Sequence, residues 1–251
     1  MTSPNSGIIP MSAGPQCRHS PSTSCGDCRL SGICLPIALQ QDEVARLEDI
    51  VNRSKPVQKG HKVYHQDQEF TAVYAVRVGC FKTMRTTQDG KEQVTGFYFP
   101  GEIFSMDGIS KNRHTNAAIA LESGAYCEIP FDRLQELSTK LPSLQRHFFQ
   151  LMSSEIASDQ QLITQLSKNS AEERMAALFL SISTRFAARN QSGMRFRLPM
   201  SRGDISNYLG LTVETVSRIL TRLQQAEVIH IDNKEVEILD FKKLREAAAV
   251  A

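Results

Sequence analysis

The stretch that decides the fold runs Ser201-Arg202-Gly203-Asp204-Ile205-Ser206-Asn207-Tyr208-Leu209-Gly210-Leu211-Thr212-Val213-Glu214-Thr215-Val216-Ser217-Arg218-Ile219-Leu220. A Ser201 hydroxyl can cap a helix by accepting a backbone N–H, and Asp204, three residues on, can return the bond. That helix carries Ile205 and Leu209 inward. Gly210 supplies the left-handed residue that a Cβ disfavours. Thr212 can then cap a second helix from Val213, with Val216, Ile219, Leu220 and Leu223 on its buried side. Two short helices about a glycine-bearing turn form a helix-turn-helix. The exposed face of the second helix opens with Glu214, Ser217 and Arg218. Arg bonds guanine O6 and N7 together, Glu accepts from cytosine N4 and Ser serves several partners, so this triplet is expected to read base edges of double-stranded DNA. Thr212 and Arg222 are expected on phosphates. Five Arg between Arg195 and Arg222 face two acids, Asp204 and Glu214, a local +3 where the whole chain carries only +2. Val228–Ile231 and Glu235–Leu239 flank Asp232-Asn233-Lys234 and read as a hairpin or wing. Two ordinary amphipathic helices could hold these charges in water, but cap, turn, triplet and hairpin coincide.

Toward the N-terminus, Ala171–Ala188 reads as another helix, and 142–166 as one long one with no Gly or Pro after its start. In the long helix Phe148, Met152, Ile156, Asp159, Ile163 and Leu166 recur at gaps of 4, 4, 3, 4 and 3. The stripe is narrow, like a coiled-coil seam, so it is expected to join two copies in a homodimer; packing on the chain's own core is the alternative. Asp159 is an odd charge to find there. From Lys55 to Pro130 the pattern changes to short apolar runs at 72–76, 94–99, 117–121 and 126–129. They alternate with turn signals such as Lys59-Gly60, Val78-Gly79 and Gln88-Asp89-Gly90, as in a small antiparallel roll. Before it, Val44, Leu47, Ile50 and Val51 mark a short helix. The expected architecture is α+β: a flexible lead-in at 1–16, a cysteine loop and β-roll at 17–141, a dimerisation helix at 142–168 and a winged helix-turn-helix at 169–251.

With 41% hydrophobic residues the chain can bury a core, and wholesale disorder is excluded. No long apolar run or secretory signal pattern is present, so a cytoplasmic protein with no membrane contact is expected. In that compartment the six cysteines are not a disulfide framework. Cys25-x2-Cys28-x5-Cys34 puts three thiols on one loop, and a soft tetrahedral site needs a fourth ligand from far away. Cys127, Cys80, Cys17, His19 and His114 are the candidates. Zinc and an iron–sulfur cluster both accept four thiolates, so spacing leaves the choice open. No G-x-S-x-G, G-x-G-x-x-G or G-x-x-x-x-G-K motif is present, and no enzyme is expected.

Longer strings narrow the choice. They include Cys34-x-Pro36, Gln58-Lys59-Gly60, Glu92-Gln93-Val94-Thr95-Gly96-Phe97, Cys127-Glu128-Ile129-Pro130-Phe131, Leu151-Met152-Ser153, Ala171-Glu172-Glu173-Arg174 and Asn207 to Thr215. With these the chain, from about Cys25 on, resembles the fumarate and nitrate reduction (FNR) regulators of the cyclic-AMP-receptor superfamily. The resemblance implies a cyclic-nucleotide-binding-like jelly roll and a 4Fe–4S cluster on Cys25, Cys28, Cys34 and Cys127, converted by oxygen to 2Fe–2S with weakening of the dimer. It implies reading of a TTGAT-type inverted repeat by Glu214, Ser217 and Arg218, contact with RNA polymerase, and Asp159 as the seam acid that keeps the cluster-free chain monomeric. Cys17 and Cys80 fall outside that ligand set. The rival on the same fold is a cyclic-nucleotide-responsive regulator with a structural metal site. Such a site wants Gly-Glu for the ribose and Arg-Ser or Arg-Thr for the phosphate; Met106 and His114-Thr115 stand there instead, with Arg113 close by. A haem-based gas sensor and an iron–sulfur electron-transfer protein are further rivals, the latter with no use for the C-terminal unit.

Overall fold

The computed structural model describes residues 24–249; Cys17, His19 and the 1–16 lead-in lie outside them. The first part is a β-roll of two four-stranded sheets. One has the order β1 (Asn52–Arg53), β8 (Ala125–Pro130), β3 (Ala72–Val78), β6 (Ile103–Phe104). The other runs β2 (Lys62–Tyr64), β7 (Ala117–Ala120), β4 (Phe81–Thr86), β5 (Glu92–Tyr98), with antiparallel pairing throughout both. Between the sheets lie Tyr64, Tyr74, Phe81 and Phe104, stacked at ring distances of 5.5–6.2 Å.

Strand β3 explains its own sequence. Successive side chains point to opposite faces, and here both faces are covered. Ala72, Tyr74 and Val76 enter the roll interior. Val73 and Ala75 enter a second core on the outside, shared with Leu35 of the cysteine loop, Leu47 of α1 (Gln41–Glu48), α2 (Phe131–Lys140) and the start of α3 (Pro142–Lys168). A strand buried on both sides reads as an unbroken apolar run.

Helix α3 spans 27 residues, roughly 40 Å at 1.5 Å per residue. Its first turns pack on the roll through Leu144 and Phe148, and further along Glu155 accepts a bond from Tyr98 of β5. Helix α4 (Ala171–Ala187) opens with a capping box from Ser170 and Glu173. The C-terminal part continues with β9 (Arg195–Arg197), α5 (Arg202–Leu209), α6 (Val213–Gln225), β10 (Ile229–Asp232), β11 (Glu235–Ile238) and α7 (Phe241–Ala247). The expected hairpin is present, with Asn233 at φ 55° in its turn, but the wing has a third strand, β9, paired with β11. Its core is continuous with Val94, Phe97 and Phe99 of the roll, so the two parts pack as one body.

Candidate functional site

The helix-turn-helix forms as its local chemistry dictates. Ser201 Oγ accepts from the Asp204 N–H at 3.0 Å, and Asp204 Oδ2 accepts from the Ser201 N–H at 2.9 Å. Gly210 sits at φ 63°, ψ 40°, and Thr212 Oγ1 accepts from the Thr215 N–H at 3.1 Å. Val216, Ile219, Leu220 and Leu223 are buried, while Glu214, Arg218 and Arg222 are exposed and Ser217 is half-buried. The α6 N-terminus and Thr212 hold the Glu214 carboxyl below the usual carboxylate range.

The local +3 is smaller than it reads in sequence. Arg195 pairs with Glu237, Arg197 with Glu122 and Glu235, and Arg222 with Glu172. Among the described residues Arg202 and Arg218 carry no ion pair. Arg202 was missed from sequence. Its Nη1 donates to Ser217 Oγ at 3.3 Å, which places a second guanidinium without an ion pair beside the triplet expected to read bases. The β4–β5 hairpin grips α5 from behind: Lys82 pairs with Asp204 at 2.5 Å, Asn207 bonds Glu92 O and the Val94 N–H, and Phe97 packs on Tyr208.

The cysteines converge. Tight turns fold the loop, with the Ser31 N–H bonded to Cys28 O and the Cys34 N–H to Leu30 O, both at 2.9 Å. Cys34 then leads into a 3-10 turn, Leu35–Ala38, opened by Pro36 and packed on α3. Cys127 lies on β8, opposite Arg53 of β1 and Ala75 of β3. Cys25, Cys28, Cys34 and Cys127 line one pocket, with Ala75 giving room at its floor and Leu35, Leu47 and Ile129 forming apolar walls. Arg53, paired with Glu48 at 2.7 Å, acts on Cys25, and the Cys25 N–H donates to Glu48. Burial pushes the Cys34 thiol up to about 12 and the Cys127 thiol up to about 11, and raises Cys25 against the pull of Arg53. Cys80 is elsewhere, fully buried where the roll meets α4, with its thiol raised by burial. His114 is also elsewhere, stacked on Tyr64 at 3.7 Å.

Among the described residues no three His, Cys, Asp or Glu side chains converge closely enough for a single metal ion. A tetrahedral zinc with bonds of about 2.3 Å would draw its sulfurs to roughly 3.8 Å from one another. Four thiols lining one pocket are a donor set that zinc and an iron–sulfur cluster both accept, and the guanidinium of Arg53 beside them would offset thiolate charge.

The roll's second cavity argues against a cyclic phosphate. It is lined by Asp107, Glu155 and Asp159 together with Thr83, Tyr98 and Asn116. Asp107 Oδ2 already takes the Thr115 and Asn116 N–H groups at 2.8 and 3.1 Å. Glu155 accepts from Tyr98 Oη at 2.6 Å, and burial raises the carboxyls of Glu155 and Asp159. A phosphate there would face three acidic side chains and no Arg or Lys among the lining residues.

One expected seam residue is corrected. Phe148 is only 7% exposed and packs on Phe131, because α3 begins on the roll. Phe149 is 57% exposed instead, and with Ile156 (58%) and Ile163 (62%) it repeats every seven residues. Met152, Asp159 and Leu166 repeat three residues further along.

Together the fold and the reading face define a DNA-binding transcription regulator with a β-roll and a winged helix-turn-helix. Residues 173–247 match the Crp-like helix-turn-helix domain family and residues 54–140 the cyclic nucleotide-binding domain family. The chain is 46% identical to the transcriptional activator protein FnrA of Stutzerimonas stutzeri over 92% of this chain and 94% of that one. It is 44% identical to the fumarate and nitrate reduction regulatory protein of Vibrio cholerae, over 90% and 91%. The structure of FixK2 from Bradyrhizobium japonicum superposes with a TM-score of 0.74 at 25% identity, covering 80% of this chain and 99% of that one. The chain belongs to the fumarate and nitrate reduction family of transcription regulators, within the CRP/FNR superfamily.

Proposed function

We propose that this chain is an oxygen-responsive cytoplasmic regulator that holds a 4Fe–4S cluster on Cys25, Cys28, Cys34 and Cys127. In this reading it dimerises along α3 and binds TTGAT-type inverted repeats to control transcription through RNA polymerase. Residues 17–141 act as the sensor, 142–168 as the dimerisation helix and 169–251 as the DNA-binding domain. The observation that carries the proposal is the meeting of Cys127 with a loop triplet 93 residues away in sequence (127 − 34). When bound, the cluster supplies an oxygen-labile inorganic core. The chain's own groups do the rest. Cys25, Cys34 and Cys127 give up protons that burial makes them hold firmly, Arg53 offsets the charge, and the apolar walls limit water. Leu35 of the loop shares a core with Leu144 and Phe148, so ordering the loop also orders the start of α3. A dimer presents two α6 helices to successive major grooves, and Glu214, Ser217 and Arg218 meet bases there. Family membership at 44–47% identity supports the DNA-binding and anaerobic-regulation parts. Iron content after single Cys→Ser changes tests the ligand set. Cys25, Cys28, Cys34 and Cys127 should each be required, and retention of the full iron content in Cys127→Ser would overturn it.

A further inference from the structure

We propose that Glu102 is a positioning residue through which the cysteine loop holds the DNA-reading helices in place, a route separate from the dimer seam. The proposal rests on reading the loop as the sensor. It starts at Ile33, the residue before Cys34. The Ile33 side chain lies directly on Gly101: a Cβ built at Gly101 would fall 2.6 Å from Ile33 Cδ1. Gly101 is also at φ +90°, so neither the space nor the backbone admits a side chain there. Its N–H is pinned to Val76 O at 2.8 Å, which fixes the turn on β3.

The next residue, Glu102, faces the other way along the path, into α4. Its Oε1 accepts from Arg185 Nε at 2.8 Å and from Arg189 Nη2 at 2.5 Å, and Arg185 Nη2 reaches Oε2. The Phe99 N–H donates to Oε2 at 3.0 Å. Arg189 Nε donates to Pro100 O at 2.6 Å, and Arg185 Nη2 donates to Phe97 O. The Arg185 guanidinium lies 4.5 Å above the Phe99 ring. The Arg189 side chain is 6% exposed, Glu102 25% and Arg185 27%, so this is a partly buried ion cluster and not a surface pair. Breaking one partner of such a cluster leaves buried charge uncompensated, so the joint is stiff. Arg185 lies in the last turn of α4 and Arg189 just beyond its end, where cations also suit the helix dipole. Helix α4 in turn shares a core with α6 through Met175, Phe179 and Ile182 against Val216 and Leu220. The chain of contacts is therefore Ile33, Gly101, Glu102, Arg185 with Arg189, α4, then the reading helix α6. It contains none of the exposed seam residues Phe149, Ile156 and Ile163. The roll joins it at a turn and not at a helix, so a loop that shifts can shift the turn.

Coupling between two sites is reciprocal in free energy. Hydrogen–deuterium exchange on the full iron-free chain tests the route without any cofactor. Ile33→Ala should speed exchange at 184–189 by about 5- to 150-fold, the range of ordinary coupling energies. Glu102→Gln should speed exchange at 30–35 comparably, while the distant β10–β11 hairpin stays within about twofold in both. If Glu102→Gln loosens every element alike, Ile33→Ala decides, because it removes only methyl and methylene groups from a loop. Exchange at 184–189 unchanged in Ile33→Ala overturns the proposal. Iron analysis of the wild type reports on the sensor reading separately, so failure of one is not failure of the other.

Discussion

Replacing Asp159 with Asn should let the iron-free chain dimerise. Helices meeting along Phe149, Ile156 and Ile163 bring the two Asp159 carboxylates close together. At about 6 Å, with an effective dielectric between 20 and 80, their repulsion is about 0.7–3 kcal/mol. Asp159 is exposed in the single chain, so the low figure holds at first contact and the higher one as the seam closes and water leaves. The expected gain in dimer constant is about 3- to 100-fold. The pH dependence has a definite sign. Partial desolvation against the neighbouring roll already raises the Asp159 carboxyl, and a second carboxylate raises it further. A carboxyl with a higher pKa in the dimer takes up protons on association. The wild-type dimer should therefore strengthen as pH falls from neutral through the raised value and be weakest above it. The Asn variant should lack the part of this dependence that Asp159 contributes. Sedimentation velocity of iron-free protein across this range is the assay. An Asn variant as monomeric as the wild type, with the same pH profile, would refute seam repulsion.

Other changes separate the parts of the account. Arg218→Ala should cost about 1–3 kcal/mol at the specific site and relax one guanine position, measured by binding to single-base variants; equal loss on random DNA would make Arg218 a phosphate contact. Arg202→Ala should broaden base preference at the same position as Ser217→Ala and add no further broadening in the double variant. Burial raises the Glu102 carboxyl but Arg185 and Arg189 outweigh it, so its pKa is lowered. The stability it gives is present above the ordinary carboxylate value of about 4.3 and is lost as pH falls through the lowered one. Thermal unfolding in acid should show this loss in the wild type and not in Glu102→Gln. Cys80→Ser should keep its iron, since Cys80 stands apart from the four-thiol pocket.

The helix-turn-helix was legible because its determinants are local: Ser201, Asp204, Gly210 and Thr212 each act within four residues. Strand β9 was not, because Arg195-Phe196-Arg197 is three residues long and finds its partner, β11, some forty residues later. The long helix was found, but its stripe mixed two faces. Gaps of four led from Phe148 into Met152 and Ile156, whereas the packed start of α3 and the exposed row Phe149, Ile156 and Ile163 lie on different sides. Spacing named the loop triplet and could not choose the fourth thiol, since only the β8 register sets Cys127 beside Ala75. The Glu102 cluster gave no sequence signal. Its partners are 83 and 87 residues away, and each alone looks like a solvated charge.

The central claim is that four thiols in one pocket hold a polynuclear iron cluster. Iron and acid-labile sulfide analysis with visible absorption, on full-length protein purified without oxygen, tests it most directly. The expected result is iron and sulfide in equal amounts, four of each per chain, with a broad visible band that bleaches in air. One zinc per chain without sulfide, or no metal bound under those conditions, would contradict it.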